Sequence, residues 1–216
     1  MKQDKKFLKY WADMYSKKNV FGTGPTKLAE YAAEILHENR LKTIMEAGGG
    51  QGRDAIFFSK LGYEVDTCDI SPDAIRFINK MKSNLDLKKL NAFEHDFTRP
   101  FTKSSKAFDF VYSNLALQFC DIDELERVFA NISMIMKENS LFLFSTKKKG
   151  DKYHEYGKKL GENAFEYNNV IRYFFERNVL ENLLDRHYKT IEFDSESHTN
   201  LDSSISVWWK ILVQKK

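Results

Sequence analysis

Residues Glu46-Ala47-Gly48-Gly49-Gly50-Gln51-Gly52 set four glycines between an apolar run, Thr43-Ile44-Met45, and a stretch of helical character, Arg53-Asp54-Ala55-Ile56-Phe57-Phe58. A strand that ends in a glycine turn and opens into a helix is a nucleotide-binding unit. Its glycines let backbone approach a ligand with no Cβ in the way. Free N–H groups at the helix start then favour a carboxylate or a phosphate.

The remaining chain repeats this alternation. Pro25 to Leu36 puts Leu28, Ala32, Ile35 and Leu36 on one helical face. Strands are predicted at Thr43 to Ala47, Tyr63 to Asp69, Leu90 to Glu94, Phe108 to Ser113 and Ser140 to Ser145. Helices fall between them: Arg53 to Leu61, stopped by Gly62; Ser71 to Ser83, capped by Ser71 with Pro72 in the first turn; and one starting at Asp121 or Asp123. Such an order gives a mostly parallel sheet with helices on both faces. Phe175 to Asp185 reads as a further helix. Lys189 to Phe193 and Ser204 to Val213 read as two strands joined by a loop alone, and hence antiparallel.

The pattern E-x-G-x-G-x-G at 46–52 resembles motif I of the class I S-adenosylmethionine-dependent methyltransferases, acidic first residue included. The stretch Tyr10-Trp11-Ala12-Asp13-Met14-Tyr15, together with Gly52-Arg53-Asp54-Ala55, resembles the small-molecule, tellurite-resistance and thiopurine-type branch. The resemblance implies a Rossmann-like, doubly wound α/β sheet of seven strands, with the seventh inserted antiparallel between the fifth and sixth. It implies S-adenosyl-L-methionine as cofactor and S-adenosyl-L-homocysteine as product. Residues 1–40 would form an N-terminal helical segment, either a lid over the cofactor or a helix docking aromatic residues on the domain. Residues 41–216 would form the methyltransferase domain, one domain overall.

Candidate site residues follow from strand ends. Asp69 ends the second strand, where a carboxylate accepts both ribose hydroxyls; its other reading is a turn residue beside Ser71. Ile70 is an apolar contact for adenine. By the resemblance, Asp96 accepts from the adenine amino group and Phe97 offers its N–H to the ring; the alternative is a surface turn. Glu46 faces the ammonium of the cofactor, and Gly48, Gly50 and Gly52 shape the turn there. Gly49 takes no contact, and Arg53 pairs either with a ligand carboxylate or with Asp54. Ser113 opens the loop Ser113-Asn114-Leu115-Ala116-Leu117-Gln118-Phe119, where the family's motif IV lies. That loop lacks the Pro-Pro-Tyr and Pro-Cys arrangements of enzymes that methylate nucleic-acid bases.

No catalytic residue declares itself. Tyr15, His154 and His198 are weak candidates. Lys147 to Asn169 is rich in lysine and tyrosine, and reads as a solvated loop or as a basic-aromatic cover over the acceptor. The net charge of +3 argues against a nucleic-acid partner, and no apolar run is long enough for a membrane span. Cys68 and Cys120 show no metal or redox spacing, so no metal and a reducing cytoplasmic setting are expected. The expected partner is a small-molecule acceptor, and the expected state a monomer or homodimer. Two rivals remain. One is an NAD(P)-dependent oxidoreductase, since Gly50-Gln51-Gly52-Arg53-Asp54-Ala55 also fits a loose G-x-G-x-x-A. The other is a cofactor-binding protein or RNA methyltransferase, or a regulatory module.

Overall fold

Capping chemistry and apolar periodicity account for the order of elements in the computed structural model, which describes residues 5–16, 22, 24–101 and 107–216. Helix α1 (Lys5–Tyr15) precedes α2 (Lys27–Glu38), which Thr26 caps by accepting from the Ala29 N–H. There follow β1 (Thr43–Ala47), α3 (Arg53–Lys60), β2 (Glu64–Asp69) and α4 (Pro72–Asn84), the last capped by Ser71 with Pro72 at its first position. Then come β3 (Leu90–Glu94), β4 (Phe108–Asn114) and α5 (Ile122–Met134). Asp121, not Asp123, starts α5, in a reciprocal capping box with Glu124.

β5 (Met136–Lys147) is longer than the predicted strand at both ends. After it the chain departs from expectation. The Lys147–Asn169 segment, read as a solvated loop or cover, holds β6 (Lys158–Gly161) and β7 (Ala164–Tyr167), which with β8 (Val170–Tyr173) just beyond it form a separate antiparallel sheet. Helix α6 (Arg177–Leu184) and the long hairpin of β9 (Tyr188–Thr199) and β10 (Ile205–Lys215) complete the chain.

The main sheet has seven strands in the order β3-β2-β1-β4-β5-β10-β9. β10 runs antiparallel to both its neighbours, and the other pairs are parallel. This is the arrangement the sequence led us to expect. Alternate residues feed opposite layers, as period 2 requires. Phe110, Tyr112 and Leu143 pack with α2, α3 and α4, whereas Val111, Phe142 and Phe144 pack with α5 and α6. The carboxyl ends of β1, β2, β4 and β5 therefore open onto one rim, where an α/β sheet holds its ligand.

Candidate functional site

The glycine turn is tied to β2 before any side chain contributes. The N–H groups of Gly48 and Gly49 both donate to the Cys68 carbonyl, at 2.9 and 3.0 Å. Gly48 has φ +77, and a Cβ there would lie 2.5 Å from that of Ala116. A Cβ on Gly49 would collide with Thr67 Oγ1 and Glu46 Oε2. Gly49, given no role from sequence, is thus required by packing.

Asp69 locks the turn. Its Oδ2 accepts from the Gly50 N–H at 2.9 Å, and its Oδ1 from the Ser71 N–H at 2.9 Å. Burial raises its pKa, opposed by those backbone donors. Glu46 is 3% exposed and accepts from the Thr67 hydroxyl at 2.6 Å. Burial first, and then repulsion from Asp54, pushes its pKa up to about 8, although the Thr67 hydrogen bond works the other way.

Asp54 was not singled out from sequence and is a hub. Its Oδ1 accepts from the Thr26 N–H at 2.9 Å; its Oδ2 accepts from the Thr26 hydroxyl at 2.8 Å and from Tyr112 Oη at 2.7 Å. It therefore fixes the start of α2 to the start of α3. Arg53, left open above, lines the cavity and donates to the carbonyls of Gly24 and Pro25. The available signal was a carboxylate one position into a helix, just where the first turn packs under the sheet rim.

These residues border a cavity of about 440 Å³. Glu46, Gly48, Asp69, Ile70 and Phe97 line it, as does Tyr15 from α1. Trp11 stacks on Tyr15, with centroids 5.3 Å apart and planes at 22°, as their spacing of four predicts. Burial, and then the Asp69 charge, raise the Tyr15 pKa well above the phenol range, so its hydroxyl keeps its proton.

Other candidates lie outside the lining. Gly50 offers its N–H to Asp69, and Gly52 packs against Ile78 at the start of α3. Ser113 is fully buried and donates to the Ala47 carbonyl at 2.8 Å, so its hydroxyl joins β4 to β1. Asp96 Oδ1 accepts from the N–H and hydroxyl of Thr98, at 3.0 and 2.7 Å, which is the turn geometry of its alternative reading. His154 lies edge-on between Phe165 and Phe174. His198 is exposed on β9. Neither histidine reaches the cavity.

Comparison with known proteins agrees with this geometry. Residues 8–183 match the family described as Tellurite resistance protein TehB. A probable S-adenosyl-L-methionine-dependent methyltransferase TehB of Haemophilus influenzae is 27% identical over 97 residues, covering 45% of this chain and 32% of that protein. The match thus spans about a third of the curated relative's length. The crystal structure of TehB from Haemophilus influenzae superposes with a TM-score of 0.68 at 17% identity, covering 97% of this chain and 67% of that one. A Burkholderia thailandensis 1,6-didemethyltoxoflavin-N1-methyltransferase, with its namesake compound and S-adenosylhomocysteine bound, superposes with a TM-score of 0.70 at 15% identity, covering 96% and 86%. At these identities the superpositions show the fold. The family match and the curated relative's name point to a methyltransferase and do not favour the oxidoreductase reading.

Proposed function

The chain belongs to the TehB family, and from that premise we propose that it is an S-adenosyl-L-methionine-dependent methyltransferase acting on a small molecule. The observation that carries this reading is the Asp69 bridge to the glycine turn. A carboxylate has about four lone-pair directions. Backbone occupies one on each oxygen, and the others suit the two ribose hydroxyls.

The remaining residues fit the same cofactor. The turn presents bare backbone at Gly48 and Gly49. Glu46 is a buried carboxylate without a cationic partner among the described residues, and an ammonium would supply one. Ile70 and Phe97 offer apolar faces for adenine. Asp96, next to Phe97, would take the adenine amino group with capacity left over from the Thr98 turn. Gly50, Gly52 and Ser113 would shape the loop ends without touching the ligand.

When bound, the cofactor supplies a methyl group already activated on a sulfonium. The chain's own part is to orient the acceptor and exclude water. Of residues 1–40, the described part would provide the lid, with the Trp11–Tyr15 face of α1 over the cavity, and the described part of 41–216 the body of the domain; residues 1–4, 17–21, 23 and 102–106 lie outside the described residues. Tyr15, kept protonated, would act as a neutral donor, not as a base. With both histidines away from the cavity, an acceptor that needs little deprotonation suits the site best. We read the enzyme as cytoplasmic, monomeric or homodimeric, and without a nucleic-acid substrate. Two buried free cysteines favour the reducing setting.

Isothermal titration with S-adenosylhomocysteine and with NAD tests the cofactor. The first binds and the second does not; binding of NAD alone overturns the reading. Asp69→Ala should stay folded by circular dichroism and bind S-adenosylhomocysteine at least about 1.5 kcal/mol more weakly. Tritiated cofactor incubated with cell extract should label the small-molecule fraction, and label confined to protein or RNA refutes the acceptor class.

A further inference from the structure

Both acidic and basic side chains border the cavity. Glu46, Asp54 and Asp69 border it beside the glycine turn, with Arg53 next to them, and Lys147 and Arg172 line it from the end of β5 and from β8. Lys147, at the end of β5, pairs with Asp151 at 2.5 Å, and both side chains are buried. Asp151 also accepts from the N–H groups of Tyr153 and Val207, at 3.0 and 2.9 Å. That carboxylate is committed, and no second one joins it among the described residues.

Arg172, on β8, is 9% exposed. Its Nη1 reaches only the carbonyls of Tyr167 and Val170, at 3.5 and 3.4 Å, long for bonds from a cation. No carboxylate among the described residues pairs with it. Its guanidinium lies over the rings of Tyr153 and Phe119, 4.8 and 5.9 Å from their centroids. Trp11 packs on Phe119 with centroids 5.4 Å apart and continues the aromatic wall. In the same wall Gln118 is 6% exposed, and its Oε1 has no hydrogen-bond partner among the described residues. Burial lowers the Lys147 pKa, and the Lys152 and Arg172 charges add to that against Asp151.

We propose that Arg172 is the anion-binding residue of the acceptor subsite, and that the acceptor is a small aromatic anion. Its charge meets the guanidinium, and its ring packs against Phe119, Tyr153 and Trp11. This inference rests on the methyltransferase reading and names the substrate class for it. A buried guanidinium without a counter-charge is costly, and an anion removes that cost. The planar fork matches a carboxylate in a way an ammonium does not. A bare inorganic oxyanion would exchange its hydration shell for rings that cannot replace it. A planar organic anion meets those rings with apolar surface instead. Gln118 adds a polar partner for the ligand's remaining group.

The test is calorimetry on protein saturated with S-adenosylhomocysteine, titrated with benzoate, benzamide and selenite. Benzoate should bind, with benzamide and selenite at least about tenfold weaker. Arg172→Met should abolish the preference for benzoate over benzamide while leaving S-adenosylhomocysteine affinity within about twofold. Arg172→Lys, which keeps the charge and the long stem, should recover part of the preference; if Arg172→Met does not fold, this variant and the wild-type comparison decide. Equal binding of benzoate and benzamide, tighter binding of selenite, no benzoate binding to the loaded protein, or an undiminished preference in Arg172→Met overturns the proposal and leaves the methyltransferase reading standing. Failure of S-adenosylhomocysteine to bind overturns both.

Discussion

Replacing Glu46 by Gln isolates a strongly displaced ionisation in the cavity. The Glu46 carboxyl is displaced from 4.5 to about 8. At about 1.36 kcal/mol per pH unit, that is an upper bound of about 5 kcal/mol between the two charge states; water entering the cavity reduces it. The sign follows from proton counts. Between about pH 4.5 and 8 the native protein holds a proton that the unfolded chain has released, so the stability of the wild type falls as pH rises through that window. Gln keeps an acceptor for the Thr67 hydroxyl but cannot ionise. Glu46→Gln should therefore match the wild type near pH 4.5 and exceed it by several degrees in Tm near pH 8.5, at about 2–4 °C per kcal/mol for a chain of this size. Scanning fluorimetry across that range is the assay. Parallel Tm–pH curves for the two proteins would refute the reasoning. Binding gives an independent check. An ammonium beside Glu46 restores its charge, so S-adenosylhomocysteine should release protons on binding near pH 7, seen as heats that depend on the buffer. The variant should lose that release, together with about 1.5–3 kcal/mol of affinity.

Gly49→Ala forces a Cβ into the Thr67–Glu46 hydrogen bond; urea melts should show a loss of about 1–3 kcal/mol, and an unchanged midpoint would mean the turn can move aside. Asp54→Ala leaves the Thr26 N–H and the buried Tyr112 hydroxyl without their carboxylate; it should cost about 3 kcal/mol of stability by the same measurement, with Tyr112→Phe costing about 1 kcal/mol and the double variant less than the sum.

The main sheet was legible because its central strands carry short, nearly continuous apolar runs and its helices start at recognisable caps. Even the antiparallel final strand could be read, from a connection too short for a crossover helix. The β6–β8 sheet could not. Its strands have four residues each, too few for alternation to stand out among lysines and tyrosines. Moreover, β8 turns Val170 and Arg172 inward, so its buried face includes a charge that any polarity pattern assigns to solvent. In the site, Asp69 and Glu46 were visible because strand ends announce themselves. Asp54 was not, since its role depends on Thr26 and Tyr112, which are 28 and 58 positions away. Asp96 and Ser113 were read from position alone; the Thr98 turn takes one oxygen of Asp96, and the Ala47 carbonyl takes the Ser113 hydroxyl.

The two ends of the cavity also differ in how the chain builds them. Its acidic end is assembled from β1, β2 and α3, within the sheet order that defines the fold. Its basic and aromatic end comes from α1, the turn after β4 that carries Gln118 and Phe119, the tip of β5 with the turn that follows it, and the small antiparallel sheet. Charges at the first end are fixed to backbone: Asp69 by Gly50 and Ser71, Asp54 by Thr26. Arg172 at the second end has only long contacts to carbonyls and the faces of rings. A fixed carboxylate holds a constant ligand in one place without reorganising. A guanidinium packed between rings tolerates different ligand shapes, because ring contacts depend less on angle than hydrogen bonds do. Binding of S-adenosylhomocysteine should accordingly be insensitive to changes in β6–β8, whereas the choice among aromatic anions should shift with them.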